Sequence, residues 1–223
     1  MIERLIPSWD RGGDLLLPAT LATLEMVFIS GAIAFVLGIF FGVLLVVTRK
    51  NGILENLVVY NILDKVVNII RSIPFLILMI LLIPLSRLIV GTGMGVTGAI
   101  IPLVFGTTPF FARQVESAIA QINYGLVEAA QAMGFSPLEI IFKVYLRESI
   151  PAITRVTQIT AINLVALTTM AGAIGAGGLG DFAIRFGQHL GLTDLLWATI
   201  IVIIIIVSII QLVGNIIIAK TTK

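Results

Sequence analysis

Long apolar runs without a single charged residue dominate this chain. Four of them cover residues 26–48, 92–112, 156–180 and 195–219. A helix needs about 20 apolar residues to cross a bilayer, so each run is long enough to span one. A fifth, shorter run at residues 72–86 is flanked by arginines whose long side chains can reach the interface. The pattern predicts an all-α, polytopic membrane bundle of five transmembrane helices, in one domain over residues 1–223.

The composition agrees with a membrane protein and excludes several other classes. The mean hydropathy is +1.12 and only 12% of the residues are charged, which is too little polar surface for a soluble domain. The chain has no cysteine and a single histidine, so we predict no disulfide, no metal site and no cofactor. His189 is expected to be a solvated loop residue. A net charge of +2 gives no reason to expect nucleic acid as a partner.

The distribution of positive charge predicts an orientation. If the N-terminus lies outside, ten of the fourteen lysines and arginines fall on the cytoplasmic side, which membrane proteins favour. The C-terminus then lies inside. These ten residues are Arg49, Lys50, Lys65, Arg71, Arg113, Lys143, Arg147, Arg155, Lys220 and Lys223. The opening stretch "MIERLIPSWDRGGD" has mixed charge, which is not typical of a cleaved signal peptide.

The corner segment, residues 123–150, is a polar, helix-prone interruption between two apolar runs. Gly134 follows strong helix formers and is expected to end a first short helix in a left-handed conformation. Ser136, Pro137 and Glu139 then predict the start of a second helix, as a cap, a first helical residue and the partner in a capping box. Pro151 is expected to set the next boundary. The segment therefore predicts two short cytoplasmic helices joined by a tight corner.

The second helix of the corner segment has an apolar face, formed by Ile140, Ile141 and Val144. This face must pack against either the bundle or a partner protein. The alternative interpretation is an ordinary pair of amphipathic helices at the membrane interface, which is a common arrangement.

The residues of the corner segment resemble the cytoplasmic "EAA" loop in permease subunits of ATP-binding-cassette importers. The match consists of Glu128, Ala129, Ala130 and Gly134, followed by the hydrophobic triplet that ends at Leu146. Arg147 stands where that family usually has proline. The resemblance implies that this loop is the coupling helix pair, which docks in a cleft of the ATPase subunit. It assigns that role to Glu128, Ala129, Ala130, Gly134, Ser136, Pro137 and Leu146.

Each of these residue types suits such a contact. The two alanines allow a partner surface to approach closely, and Gly134 makes the sharp turn. Glu128 can complement the N-terminal end of its helix dipole or pair with a basic group of the partner.

Two further stretches resemble narrower branches of the same family. "RSIPF" at residues 71–75 is similar to the start of a span in amino-acid importers. The glycine-rich stretch 169–187 is similar to an external segment of the methionine-uptake branch. The resemblance implies inward transport of methionine, in one or both enantiomers, across the bacterial inner membrane. It also implies a homodimer, two ATPase subunits and an external binding protein. The alternatives are an importer for another amino acid or small solute, and an ATP-independent channel or scaffold.

Two nucleotide-binding patterns bear on whether this chain could bind a nucleotide. Gly175, Gly177 and Gly180 match G-x-G-x-x-G, but a dinucleotide site needs a preceding strand, and here the motif follows a membrane helix. These glycines are instead expected to permit close backbone packing or a bend. The sequence contains no G-x-x-x-x-G-K-[ST], so ATP hydrolysis is expected on a separate subunit and the chain is not expected to be an enzyme.

Polar residues within the apolar runs, together with the apolar Met170, are candidates for the transport pathway. They lie at helical spacing in the fourth and fifth runs and either line a path or join helices by hydrogen bonds. These candidates are Thr160, Asn163, Met170, Ser208, Gln211 and Asn215.

Overall fold

The computed structural model describes residues 7–221, and every regular element within that range is helical. The predicted all-α class is therefore confirmed. Arg4 and Lys223, which entered the charge count, lie outside the described residues.

Ten α-helices follow one another along the described part of the chain. They are α1 Leu16–Thr48, α2 Leu57–Ser72, α3 Phe75–Leu81, α4 Ile83–Val90, α5 Gly95–Ile119, α6 Tyr124–Ala132, α7 Pro137–Ile140, α8 Ile150–Gly172, α9 Gly178–Phe182 and α10 Thr193–Thr221. Two π-helical segments, Ile141–Leu146 and Ala183–His189, extend α7 and α9. His189 is thus the exposed last residue of a helical segment rather than a loop residue.

Four helices of the described residues are long and apolar enough to cross a membrane. These are α1 with the turn before it, α5, α8 and α10, which correspond to the predicted first, third, fourth and fifth spans. The fourth ends at Gly172 instead of residue 180, because the chain turns tightly there. The Gly175 amide donates to the Gly172 carbonyl at 3.1 Å, and both Gly175 and Gly177 have positive φ angles.

The predicted second span, residues 72–86, is not one continuous helix. Ile73 is extended, as expected for a residue before proline, and it separates α2 from α3. A second break at Leu82 separates α3 from α4, with Pro84 in the first turn of α4. No helix of the described residues therefore covers this run by itself, and the five-span count and the orientation stay predictions.

The described residues form two compact units, and each has its own apolar core. The first unit consists of residues 7–33, 74–106 and 161–211, and the second of residues 34–73, 107–160 and 212–221. The core of the first unit includes Met26, Leu103 and Leu164. The core of the second unit contains buried residues of α1, α5 and the corner segment. The single-domain description remains a prediction.

Glycines in the first unit permit close backbone contact after α8. A Cβ atom on Gly172 would lie 2.5 Å from the Asp181 amide nitrogen, and one on Gly180 would collide with the Thr169 carbonyl. Nearby, the Leu179 amide donates to Thr23 Oγ1 at 2.8 Å. Among the glycines of the apparent nucleotide motif, Gly180 therefore permits close packing between backbones, while Gly175 and Gly177 permit the bend after α8 through their positive φ angles.

Candidate functional site

The first helix of the corner segment is capped at both ends. The Asn123 side chain accepts a hydrogen bond from the Gly125 amide at 2.9 Å, which starts α6. At the other end Gly134 has a φ of +79°, and its amide donates to Gln131, while the Phe135 amide donates to Ala130. This is a Schellman motif, in which two otherwise unpaired helix carbonyls are satisfied. The predicted left-handed glycine is confirmed.

The second helix begins with the predicted capping box. Ser136 Oγ accepts from the Glu139 amide, and the Ser136 amide donates to the Glu139 carboxylate at 3.0 Å. Lys143 Nζ lies 2.8 Å from the same carboxylate and 5.0 Å from the centre of the Phe135 ring. These contacts fix the start of the helix relative to the corner.

The charge of Glu139 is stabilised by these partners. The Lys143 ammonium, followed by hydrogen bonds from Ser136, lowers the pKa of the Glu139 carboxyl to about 2 from its ordinary value of 4.5. Glu139 is therefore ionised at neutral pH, as the capping box requires.

The predicted apolar face of the second helix packs against the chain itself. Ile140, Ile141 and Val144 are buried in the core of the second unit, together with Tyr145. The helix runs on through the π-helical residues to a turn at Ser149, and α8 begins at Ile150, next to Pro151 as predicted. The corner segment is thus held by tertiary packing, which the surface-helix alternative does not require.

The corner segment also carries large apolar side chains that remain exposed. We call Tyr124, Leu126, Met133, Leu138 and Phe142 the exposed corner set, and each of these side chains is at least 45% exposed. Sequence reasoning missed these residues because it searched for an apolar face to bury. A signal was present, since apolar residues stood at helix positions outside the buried i, i+3, i+4 pattern.

The residues that the sequence assigned to coupling differ in how exposed their side chains are. Glu128 and Ala129 are exposed, whereas Ala130 is only 1% exposed and belongs to the core. The small side chain of Ala130 therefore permits close packing within the chain, and it cannot contact a partner surface. Leu146 also packs on that core and is partly covered.

Glu128 lies in the middle of α6, past the first turn, so it is badly placed to complement the helix N-terminus. No salt bridge among the described residues involves its carboxylate. Of the two predicted roles for Glu128, pairing with a basic group of a partner is the one that the geometry favours.

The pathway candidates are found in both units and have different surroundings. Thr160 is buried, and its hydroxyl donates to the Val156 carbonyl of its own helix at 2.8 Å. Asn215 accepts a hydrogen bond from Gln158 Nε2 at 3.4 Å, which joins α10 to α8 within the second unit. Asn163 is partly exposed, while Met170, Ser208 and Gln211 are exposed. Their roles in a pathway stay predictions.

A charged cluster that sequence reasoning did not identify joins α2 to α5. Arg113 on α5 contacts Asp64 Oδ1 at 2.5 Å and Glu116 Oε2 at 2.6 Å, and it donates to Asn68 Oδ1 at 3.1 Å. All four residues lie in the second unit. The i, i+3 spacing of Arg113 and Glu116 was visible in the sequence, but the partners from α2 were not.

Comparisons with known proteins agree with this architecture. Residues 34–221 match the family model described as "Binding-protein-dependent transport system inner membrane component". A relative from Vibrio cholerae, named as a probable D-methionine transport system permease protein MetI, is 50% identical over 202 residues, which cover 91% of this chain and 90% of the relative. The Pasteurella multocida protein of the same name is 43% identical over 197 residues, or 88% and 91% of the two chains.

Solved structures of ABC transporters are also similar to this chain. A chain of the MetNI methionine ABC transporter in an inward-facing conformation superposes with a TM-score of 0.92 at 42% identity, covering 94% of this chain and 97% of that one. An amino acid ABC transporter solved with histidines shares the fold with a TM-score of 0.78 at 16% identity, covering 96% and 98%. The extent of the family match, together with the apolar helices and the corner segment, leads to one conclusion. The chain belongs to the family of inner membrane components of binding-protein-dependent transport systems.

Proposed function

We propose that this chain is the permease subunit of an ATP-binding-cassette importer that takes methionine into the cell. The relatives named for D-methionine transport support the substrate, and their identity extends over about nine-tenths of both chains for the Vibrio protein. The similarity to the methionine transporter structure, at 42% identity, supports the same substrate. The chain supplies the pathway and the mechanical connection, and ATP hydrolysis takes place on a separate subunit.

The observation that carries the coupling role is the construction of the corner segment. Its inner side is packed into the core of the second unit, while the side chains of the exposed corner set remain at least 45% exposed. Apolar side chains of this size, held on a rigid element, are typical of a protein interface. The corner segment therefore docks on the ATPase and transmits its movement to α5 and α8.

The assembly contains two copies of this chain, two ATPase subunits and an external binding protein. A twofold axis lets two identical permeases enclose one central path. The corner segment lies in the cytoplasm and the N-terminus lies outside, as the positive charges predict. Closure of the ATPases on ATP opens the path outward, and hydrolysis returns it to the inward-facing state.

The direct test is transport by the reconstituted assembly. The chain is purified with its ATPase subunit, placed in liposomes and supplied with the binding protein on the outside. We expect ATP hydrolysis and uptake of labelled methionine, both stimulated by the loaded binding protein. A catalytically inactive ATPase subunit is the control, and it should abolish uptake.

Two results would contradict the proposal at different levels. Uptake of another amino acid in preference to methionine, with ATP dependence intact, would leave an importer permease of different specificity. Solute flux that continues without any ATPase subunit would instead favour a channel.

A further inference from the structure

A small pocket opens beside the corner segment, within the second unit. Its volume is about 190 Å³, and its walls come from the end of α5, the start of α6 and the residues that lead into α8. The walls include Ala118, Gln121, Leu126, Glu148, Ser149 and Ala152. This pocket is too small for a drug-sized ligand, which needs about 300 Å³ or more. It can hold one long side chain.

The pocket presents acceptors and negative charge. Glu148 is the only charged residue in its walls, and no salt bridge among the described residues involves it. Ser149 is 1% exposed, and its hydroxyl has no hydrogen-bond partner among the described residues. The Gln121 amide nitrogen already donates one of its two hydrogens to the Ser117 carbonyl at 3.2 Å. A buried hydroxyl beside an unpaired carboxylate suits a guest that donates hydrogen bonds.

The helix ends around the pocket carry partial charges of both signs, which offset one another. α5 ends at the pocket, and a helix C-terminus carries partial negative charge, whereas α8 begins there at Ile150 with the opposite polarity. The start of α6 has the opposite polarity, but the Asn123 side chain already caps it. The Glu148 carboxylate therefore sets the sign of the charge, and it selects a cation over an anion.

We infer that the pocket receives a lysine or arginine side chain from the ATPase subunit. The inference depends on the proposed function, since it requires that an ATPase docks on the corner segment. Leu126 provides the link, because it belongs both to the exposed corner set and to the pocket wall. A protein that covers Leu126 also covers the mouth of the pocket. The guest cation pairs with the Glu148 carboxylate and donates a hydrogen bond to Ser149 Oγ.

The test measures the affinity of the purified ATPase subunit for the chain in lipid nanodiscs, over a range of salt concentrations. Glu148→Gln should weaken binding about fivefold at low salt and flatten the salt dependence, because one charge pair is lost. Glu148→Lys should weaken binding further through repulsion. Ala152→Leu should also weaken binding, because it fills the pocket without changing any charge. Asp14→Asn, at an exposed carboxylate in the first unit, is the matched control and should have no effect.

The following results would contradict the inference, and a competition experiment tests the side-chain assignment. If both Glu148 variants bind with the unsubstituted affinity and salt dependence, no basic side chain enters the pocket. If the unsubstituted chain binds no ATPase, the proposed function fails and the pocket inference fails with it. A small amine such as ethylammonium should compete with the ATPase for the unsubstituted chain. If it strengthens ATPase binding instead, the pocket takes a free amine and the side-chain assignment is wrong.

Discussion

At the scale of single residues, the backbone of Gly134 fixes how the first helix of the corner segment ends. Its φ of +79° is accessible to glycine and costs most other residues about 1–2 kcal/mol. A Cβ atom at this position would meet nothing within 4 Å. Any effect of substitution therefore reflects backbone conformation, or a new side chain on the docking surface, rather than a clash within the chain.

We expect Gly134→Leu to weaken ATPase binding and transport while membrane insertion is preserved. Gly134→Asn is the matched control, because asparagine adopts the left-handed conformation more readily. Binding is measured by recovery of the ATPase subunit with the affinity-purified chain. Equal recovery with leucine, asparagine and glycine would show that the Schellman turn has no part in docking.

Glu139 gives the corner segment a defined response to acid. Its pKa is lowered from 4.5 to about 2, so ionised Glu139 stabilises the capping box fully above pH 4.5. That contribution is lost as the pH falls from about 4.5 to about 2. We expect the protection of the Ser136 amide, which donates to this carboxylate, to fall over that interval when its exchange rate is compared with the intrinsic rate at each pH. In Glu139→Gln the protection of the same amide should not change over that interval.

At the scale of elements, Arg113 connects two helices that are distant in sequence. Its guanidinium contacts Asp64 and Asn68 of α2 as well as Glu116 of its own helix. The planar guanidinium can serve several acceptors at once, which an ammonium group does less well. The cluster therefore fixes α2 against α5.

Loss of this arginine should leave two carboxylates without their partner. We expect Arg113→Gln to lower the free energy of unfolding by about 2 kcal/mol, below the value for a fully buried pair because these side chains are partly exposed. Arg113→Lys should lose less. Arg155→Gln, at an exposed arginine outside any ion pair of the described residues, is the control. Unfolding in mixed micelles measures the difference, and equal values for all three variants would contradict the role of the cluster.

Local chemistry explains which elements were predictable from the sequence. The turn at Gly134 and the box at Ser136 depend on residues within a few positions, and both were predicted correctly. The break at Leu82 was not predicted, because Pro84 is a local signal for a helix start but proline is also tolerated within membrane helices. The burial of Ala130 and the partners of Arg113 were also missed, since both depend on segments far away in the chain.

At the scale of the whole molecule, the orientation rests on charge distribution alone. The chain contains no cysteine, so a single introduced cysteine can report the side of the membrane on which it lies. The exposed residues Met133 and Leu190 are suitable positions. In intact cells that produce the chain without its ATPase subunit, we expect Leu190→Cys to react with a membrane-impermeant maleimide. Met133→Cys, on the proposed docking surface, should react in the same cells only after they are opened.

The reverse labelling pattern would place the corner segment outside, where no ATPase could reach it. If both cysteines react in intact cells, residues 133 and 190 lie on the same side of the membrane. The single span predicted between them would then be wrong. A transport assay on each variant checks that the introduced cysteine leaves the protein functional.

The π-helical segment Ile141–Leu146 has a consequence for how the chain tolerates a change in length. A π-helix bonds residue i to i+5 and so accommodates one residue more than an α-helical turn. Deleting one exposed residue there, such as Phe142, can be absorbed if the segment returns to α-helical bonding. The α-helical turn Pro137–Ile140 contains no extra residue. The same deletion there would therefore rotate every following residue of α8 by about 100° relative to the corner. Related chains of slightly different length are thus expected to lose or gain residues in the π-helical segment Ile141–Leu146 and not in the capped turn Pro137–Ile140.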